Sequence, residues 1–140
     1  MEKYTVLIAD DEFWIRDNLK KMLEECKFDL YVPAPARDGL EAVKRTKQDK
    51  PDIVLTDIDM PGINGIELIQ MLKDSAPEIE IIVISGYQDF EYVRDALVLG
   101  AIDYLLKPIN LSALESVLEK AIMNIMHRDE DNLKKSIRQK

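Results

Sequence analysis

The chain has 140 residues, 27 acidic and 19 basic, for a formal net charge of −8 on a 46% hydrophobic background. A chain this long buries roughly two-thirds of the surface its unfolded form exposes, so one core suffices without a disulfide or metal staple. The excess of acid excludes a protein whose main task is to track nucleic-acid backbones, and leaves open the binding of metal cations or of basic patches on other proteins. The charge is uneven: residues 1–126 carry 24 acidic against 14 basic side chains, a net −10, whereas residues 127–140 are slightly basic. The single cysteine, Cys26, has no intramolecular partner and is expected to be a buried, inert thiol in a reducing compartment. The start of the chain has no apolar signal core, and no apolar run nears the ~20 residues of a membrane span, so a cytoplasmic protein is expected.

In chain order, Thr5-Val6-Leu7-Ile8-Ala9 reads as a first strand, buried on both faces. A helical period follows on Phe13, Leu19, Met22 and Leu23. Leu30-Tyr31-Val32 is a weaker second strand; Pro33 and Pro35 cannot donate to a ladder on both sides, so it belongs at a sheet edge. Leu40 and Val43 begin a second helix. Ile53-Val54-Leu55-Thr56 and Ile81-Ile82-Val83-Ile84 are two more buried strands, separated by a helix on Ile66, Ile69 and Leu72. After a fourth helix on Val93, Ala96 and Leu97 comes the strand Ile102-Asp103-Tyr104-Leu105-Leu106. Leu114, Val117, Leu118, Ala121, Ile122, Ile125 and Met126 then form one unbroken apolar helix face. Residues 128–140 are a charged extension with Leu133 and Ile137, either a frayed helical continuation or a linker toward a partner. Alternating strands and helices, with the second strand at an edge, predict an α/β doubly wound five-stranded parallel sheet of order 2-1-3-4-5 with five helices.

In that architecture the carboxyl ends of the central strands converge on one rim, where ligands bind. Asp10, Asp11 and Glu12 follow the first strand, Asp57 and Asp59 the third, Ser85 and Gly86 the fourth, and Lys107 and Pro108 the fifth. Carboxylates about 5 Å apart repel by roughly 3 kcal/mol per pair at an effective dielectric near 20, so such a cluster holds protons or a cation. With only oxygen donors at hand, a hard octahedral ion, Mg²⁺ first and Mn²⁺ next, fits better than zinc or copper. Magnesium on few carboxylates commonly serves a phosphate, which gives Lys107 and the Ser85 hydroxyl a role on phosphoryl oxygens. There is no glycine-rich phosphate loop and no placed histidine or cysteine nucleophile. Asp57, ahead of the turn Met60-Pro61-Gly62-Ile63-Asn64-Gly65, is left as the exposed candidate to form an acyl phosphate.

Asp10-Asp11-Glu12, Asp57 with Met60-Pro61-Gly62 and Gly65, Ser85-Gly86, and Asp103-Tyr104 ahead of Lys107-Pro108 occur together in one order and spacing. On these residues, positions 4–127 resemble a response-regulator receiver domain of two-component signalling, with its flavodoxin-like (CheY-like) fold. The resemblance implies a receiver over residues 1–127 in which Asp57 accepts a phosphoryl group from the phosphohistidine of a sensor histidine kinase. It implies that Asp11 and Asp57 bind Mg²⁺ directly, that the backbone carbonyl of Asp59 completes the protein ligands, and that Asp10 acts through a water. It further implies that Lys107 pairs with the phosphoryl group across a cis bond to Pro108, that Ser85 swings toward it, and that Tyr104 rotates inward. The implied output is an altered surface on the fourth helix, fifth strand and fifth helix, a possible homodimer face. Such a protein is no enzyme beyond self-catalysed phosphotransfer and autodephosphorylation. The run from Gly86 to Tyr92 and on to Ile109 is similar to receivers that precede an AraC-type DNA-binding module, so the chain is expected to be a piece of a longer transcription regulator, with a stand-alone receiver as the alternative, and in either case without direct nucleic-acid binding of its own.

Taken singly, these residues have ordinary readings as strand-end caps, turn formers or core; their convergence favours the site. Asp59 and Tyr87 are candidates for gating the water that hydrolyses the acyl phosphate. Trp14 reads as a packing residue, and as a possible fluorescent reporter of the site. His127 reads as a surface residue, which argues against the chain being a phosphohistidine donor. A phosphohydrolase of the haloacid-dehalogenase type also uses Asp-x-Asp, as in Asp57-Ile58-Asp59, but its nucleophile strand comes early and it needs room for a cap. A third reading is a phosphorylation-independent dimerisation module.

Overall fold

The computed structural model describes residues 3–86 and 89–138. The apolar runs form strands β1 (Tyr4–Ala9), β2 (Leu30–Tyr31), β3 (Ile53–Asp57), β4 (Glu80–Ser85) and β5 (Asp103–Leu106). Between them lie α1 (Phe13–Glu25), α2 (Gly39–Asp49), α3 (Gly65–Ser75) and α4 (Phe90–Leu99), with α5 (Leu111–Arg138) last. All pairings are parallel and the order is β2-β1-β3-β4-β5, the predicted doubly wound sheet with β2 at an edge.

Strand alternation sorts the core into two layers. Val6, Ile8, Ile53, Leu55, Ile82 and Ile84 face α1 and α5, meeting Leu19, Leu23, Leu114 and Leu118. Leu7, Ala9, Val54, Ile81 and Val83 face the other way, onto Ala42, Leu68, Ile69, Leu72, Val93 and Ala96 of α2, α3 and α4. With both faces covered, β1, β3 and β4 are apolar without alternation, as parallel strands require. Register aligns the strand ends: Ala9 lies beside Thr56, Asp57 beside Ile84, and Ser85 beside Leu106.

Local chemistry sets where the helices begin. The Asp38 carboxylate accepts from Glu41 N at 2.8 Å at the start of α2, and Asn64 and Glu67 form a reciprocal capping box on α3. Gly65, the first residue of α3, sits against the end of β3: a Cβ there would come within 2.6 Å of the Asp57 carbonyl oxygen. That close approach ties the turn after β3 to the strand and fixes where Asp57 points.

Three expectations need correction. Trp14 is 78% exposed and Phe13 60%, because the first turn of α1 projects past the end of β1; Phe13 touches Trp14 edge-on, and neither enters the core. Leu40, in the first turn of α2, is also exposed, at 56%. Asp57, expected to be exposed, is only 4% exposed, since β1 and β4 flank its strand and the turn after β3 folds over it. Cys26 is buried and His127 exposed, as expected. α5 continues as one helix through residue 128 to Arg138, where Arg128 Nη1 reaches Glu80 Oε1 at 3.4 Å.

Candidate phosphoacceptor site

The rim at the carboxyl ends of β1, β3, β4 and β5 collects the predicted residues. Asp10 is fully buried: its N–H donates to Ala36 O at 3.1 Å, and its Oδ1 accepts from Glu12 N at 2.9 Å. Arg16 Nη1 donates to the Asp10 carbonyl at 2.9 Å, which anchors α1 to the site. Asp57 Oδ1 accepts from Asp59 N at 3.4 Å. Lys107 Nζ donates to Asp57 Oδ2 at 3.4 Å and pairs with Asp10 Oδ2 at 3.6 Å and Glu12 Oε1 at 3.9 Å. The lysine is positioned from behind, its own N–H donating to Ser85 O at 2.9 Å, and its bond to Pro108 is cis.

The charges deform one another. Burial, then the neighbouring Asp10 carboxylate, push the Asp57 carboxyl up to about 6, although Lys107 and the Asp59 N–H pull the other way. Burial likewise holds Asp10 above the ordinary carboxylate value against the opposing pull of the Glu12 N–H and Lys107. For Lys107 burial alone lowers the value, but Asp10, Asp57 and Glu12 together outweigh it and hold the ammonium more firmly protonated than a free lysine.

The donor set fits a hard cation. Carboxylate oxygens of Asp10, Asp11 and Glu12 lie within 4.8 Å of one another, and every available donor is oxygen. Asp10 Oδ2 is buried and, although ion-paired, receives no hydrogen bond among the described residues, a cost that a water held on a cation removes. Glu12, placed by the sequence beside Asp10 and Asp11 at the end of the first strand, also reaches Lys107, a contact that only the fold displays. Asp57 stands outside that close triple and is joined to it through Lys107. Asp59 and Asp11 are exposed. Ser85 is fully buried, and its Oγ has no hydrogen-bond partner among the described residues. Tyr104, 40% exposed, points away from the core. Tyr87 lies outside the described residues.

A parallel sheet in this order with a lysine spanning two buried aspartates at its carboxyl rim defines a receiver of two-component signalling. Residues 6–119 match the response regulator receiver domain family, and the chain belongs to it. Among its relatives are an uncharacterized response regulatory protein of Staphylococcus epidermidis, 37% identical over 125 residues, and the uncharacterized transcriptional regulatory protein YesN of Bacillus subtilis, 36% identical over 126. These alignments cover 89% and 90% of this chain but 49% and 34% of those proteins, so the chain spans half or less of their length. Among solved structures, the receiver domain of AraT, a response regulator from Geobacillus stearothermophilus, superposes with a TM-score of 0.85 at 33% identity, covering 91% of this chain and 99% of that one. Among the described residues no helix is long and apolar enough to cross a membrane.

Proposed function

We propose that this receiver is switched by phosphorylation of Asp57 from a sensor histidine kinase in the cytoplasm. The observation that carries the reading is the Lys107 ammonium held 3.4 Å from Asp57 Oδ2 and 3.6 Å from Asp10 Oδ2 at the ligand-binding rim. An Asp57 carboxylate oxygen attacks phosphorus, the N–P bond of the donor phosphohistidine breaks, and the imidazole leaves with that electron pair. A carboxyl with a value about 6 is largely ionised near neutral pH and so is competent as the nucleophile. Lys107 neutralises charge on the transferred group. Asp11, Asp57 and the Asp59 backbone carbonyl, with Asp10 acting through a water, would hold Mg²⁺, or Mn²⁺ in its place; when bound, the ion supplies charge neutralisation to phosphoryl oxygens. The exposed Asp59 side chain tunes the later hydrolysis of the acyl phosphate.

The added charge gives the orphaned Ser85 hydroxyl an acceptor, and Tyr104 then turns inward to fill the space beside α4. Two packed arrangements a few kcal/mol apart are reversed by such a bias. The remodelled face comprises α4, β5 and α5 and is the surface for homodimer formation. Residues 128–140 serve as a connector from the receiver of residues 1–127, their described part continuing α5 to Arg138. Because relatives that span further are named transcriptional regulators, the switched face controls transcription through a DNA-binding module outside this chain.

The test is to incubate the protein with Mg²⁺ and acetyl phosphate and read intact mass and oligomeric state. The wild type should gain one phosphoryl group and Asp57→Asn none. Phosphoryl uptake by Asp57→Asn would overturn the assignment, and dimerisation indifferent to phosphorylation would favour a constitutive dimerisation module.

A further inference from the structure

α1 and α2 face each other across an open groove of about 410 Å³, which Pro35, from the segment joining β2 to α2, also lines. Its α1 wall is Phe13, Arg16 and Lys20, spaced three and four apart on one face; on the α2 side Arg37, Glu41 and Arg45 recur every four residues. The two acids of the groove are already engaged: Glu41 Oε2 pairs with Arg37 Nη2 at 3.4 Å, and Asp17 Oδ2 with Lys21 Nζ at 3.1 Å. Three cations are not. Arg16 donates to the Asp10 carbonyl at 2.9 Å and lies 5.9 Å from the centroid of the Phe13 ring, but meets no carboxylate among the described residues. The half-buried side chains of Lys20 and Arg45 make no hydrogen bond or ion pair within those residues. A chain of net charge −8 thus gathers three unneutralised cations on one concave surface, beside a Phe13 ring that is 60% exposed. Convergent cations bind phosphate oxygens, and an exposed ring next to them takes a base by stacking.

We propose that this groove is a binding site for a nucleoside diphosphate. All five strands are parallel, so α1 and α2 both start at the carboxyl rim and run back from it. Phe13 and Pro35 therefore stand at one end of the groove, and Lys20 and Arg45 at the other. Seven residues of helix separate Phe13 from Lys20, about 10 Å along the axis, a span that suits a base joined through a ribose to two phosphates. The base lies on Phe13 and Pro35, and the phosphates lie between Lys20 and Arg45 within reach of Arg16. Asp17 and Glu41, midway along the two walls, accept from the ribose hydroxyls. Apart from the Arg16 bond to the Asp10 carbonyl, the groove shares nothing with the acidic rim, so binding needs no phosphorylation of Asp57.

The test uses the whole chain with ADP as the probe, followed by calorimetry and by amide shifts in ¹H–¹⁵N spectra. EDTA is present throughout, so that no metal at the acidic rim bridges to the nucleotide. One saturable site is expected, with shifts centred on Phe13, Lys20 and Arg45. Pyrophosphate, which keeps the charge without the base, should bind at least fivefold more weakly than ADP. AMP, which lacks the second phosphate, should also bind about fivefold more weakly. Lys20→Gln and Arg45→Gln should each weaken ADP binding about fivefold, the worth of one partly exposed charged contact. Phe13→Leu should bring ADP to within about twofold of pyrophosphate. No saturable shift, shifts centred on the acidic rim or elsewhere, pyrophosphate as tight as ADP, or an affinity unmoved in both Lys20→Gln and Arg45→Gln would overturn the site. Should a variant fail to fold, the wild-type order of ADP, AMP and pyrophosphate and the position of the shifts still decide it.

Discussion

Lys107 and Asp57 are fifty positions apart in the chain, and the fold brings the ammonium to 3.4 Å from the carboxylate. The same ammonium serves buried Asp10, so one cation holds two acids that would otherwise repel. Removing a partner from a buried ion pair costs roughly 3–5 kcal/mol, and the partial exposure of Lys107 places the expected loss at the lower end. Lys107→Met should therefore lower the urea-unfolding free energy by about 3 kcal/mol at pH 8. The loss should shrink at pH 5, where the aspartates can take up protons instead. A loss below about 1 kcal/mol at pH 8 would show that the acids do not depend on the lysine.

The Asp57 carboxyl, at about 6 in the folded chain against 3.8 ordinarily, binds its proton more tightly when folded. Its contribution to stability is complete below the unfolded value and is lost as the pH rises through about 6. By pH 8 the ionised group weighs against folding by up to about 3 kcal/mol. Asp57→Asn should accordingly be more stable than wild type at pH 8, with a flatter profile between pH 4 and 7. Equal slopes in the two unfolding series would place the titration elsewhere.

Mg²⁺ should act with the opposite sign, because it requires the deprotonated acids. At ten times its dissociation constant it should stabilise the protein by roughly 1.4 kcal/mol. The gain should be larger at pH 8 than at pH 5.5, vanish with EDTA and be lost in Asp11→Ala. Trp14, exposed two residues beyond Glu12, gives a second readout in its emission. Stabilisation that persists in Asp11→Ala would move the ion away from this cluster.

Much of this is legible in the sequence itself. β-branched runs of strand length, prolines at the second strand and acids or a lysine at four strand ends suffice to order the sheet and to gather Asp10, Asp57, Ser85 and Lys107 on one rim. The exposure of Phe13 and Trp14 is not, because helical periodicity groups Phe13 with Leu19, Met22 and Leu23 and bulk alone marks Trp14 for packing, and neither tells whether that turn lies over the sheet. The Glu12–Lys107 and Arg128–Glu80 ion pairs are not legible either. Both depend on side chains reaching across elements, for which one chain's pattern carries no signal. The groove between α1 and α2 is of the same kind, since its walls face each other only once those helices are packed.

Gly65 gives a mechanical prediction. A Cβ at that position would lie 2.6 Å from the Asp57 carbonyl oxygen and 2.7 Å from Ile58 Cα, and both obstacles are backbone. Gly65→Ala should cost about 1–3 kcal/mol through overpacking. It should also slow phosphorylation by acetyl phosphate, because the strain falls on the residue that must attack. A variant that is destabilised yet phosphorylated at the wild-type rate would separate the turn from the site.

The central claim is that Asp57, and no other acid of the rim, carries the phosphoryl group. An acyl phosphate is reduced by borohydride to the alcohol, which converts the modified aspartate to homoserine and marks it for peptide mass spectrometry. After treatment with Mg²⁺ and acetyl phosphate, homoserine should be found at position 57 alone and should be absent without the phosphodonor. Homoserine at Asp10, Asp11 or Asp59 with position 57 unchanged would contradict the account.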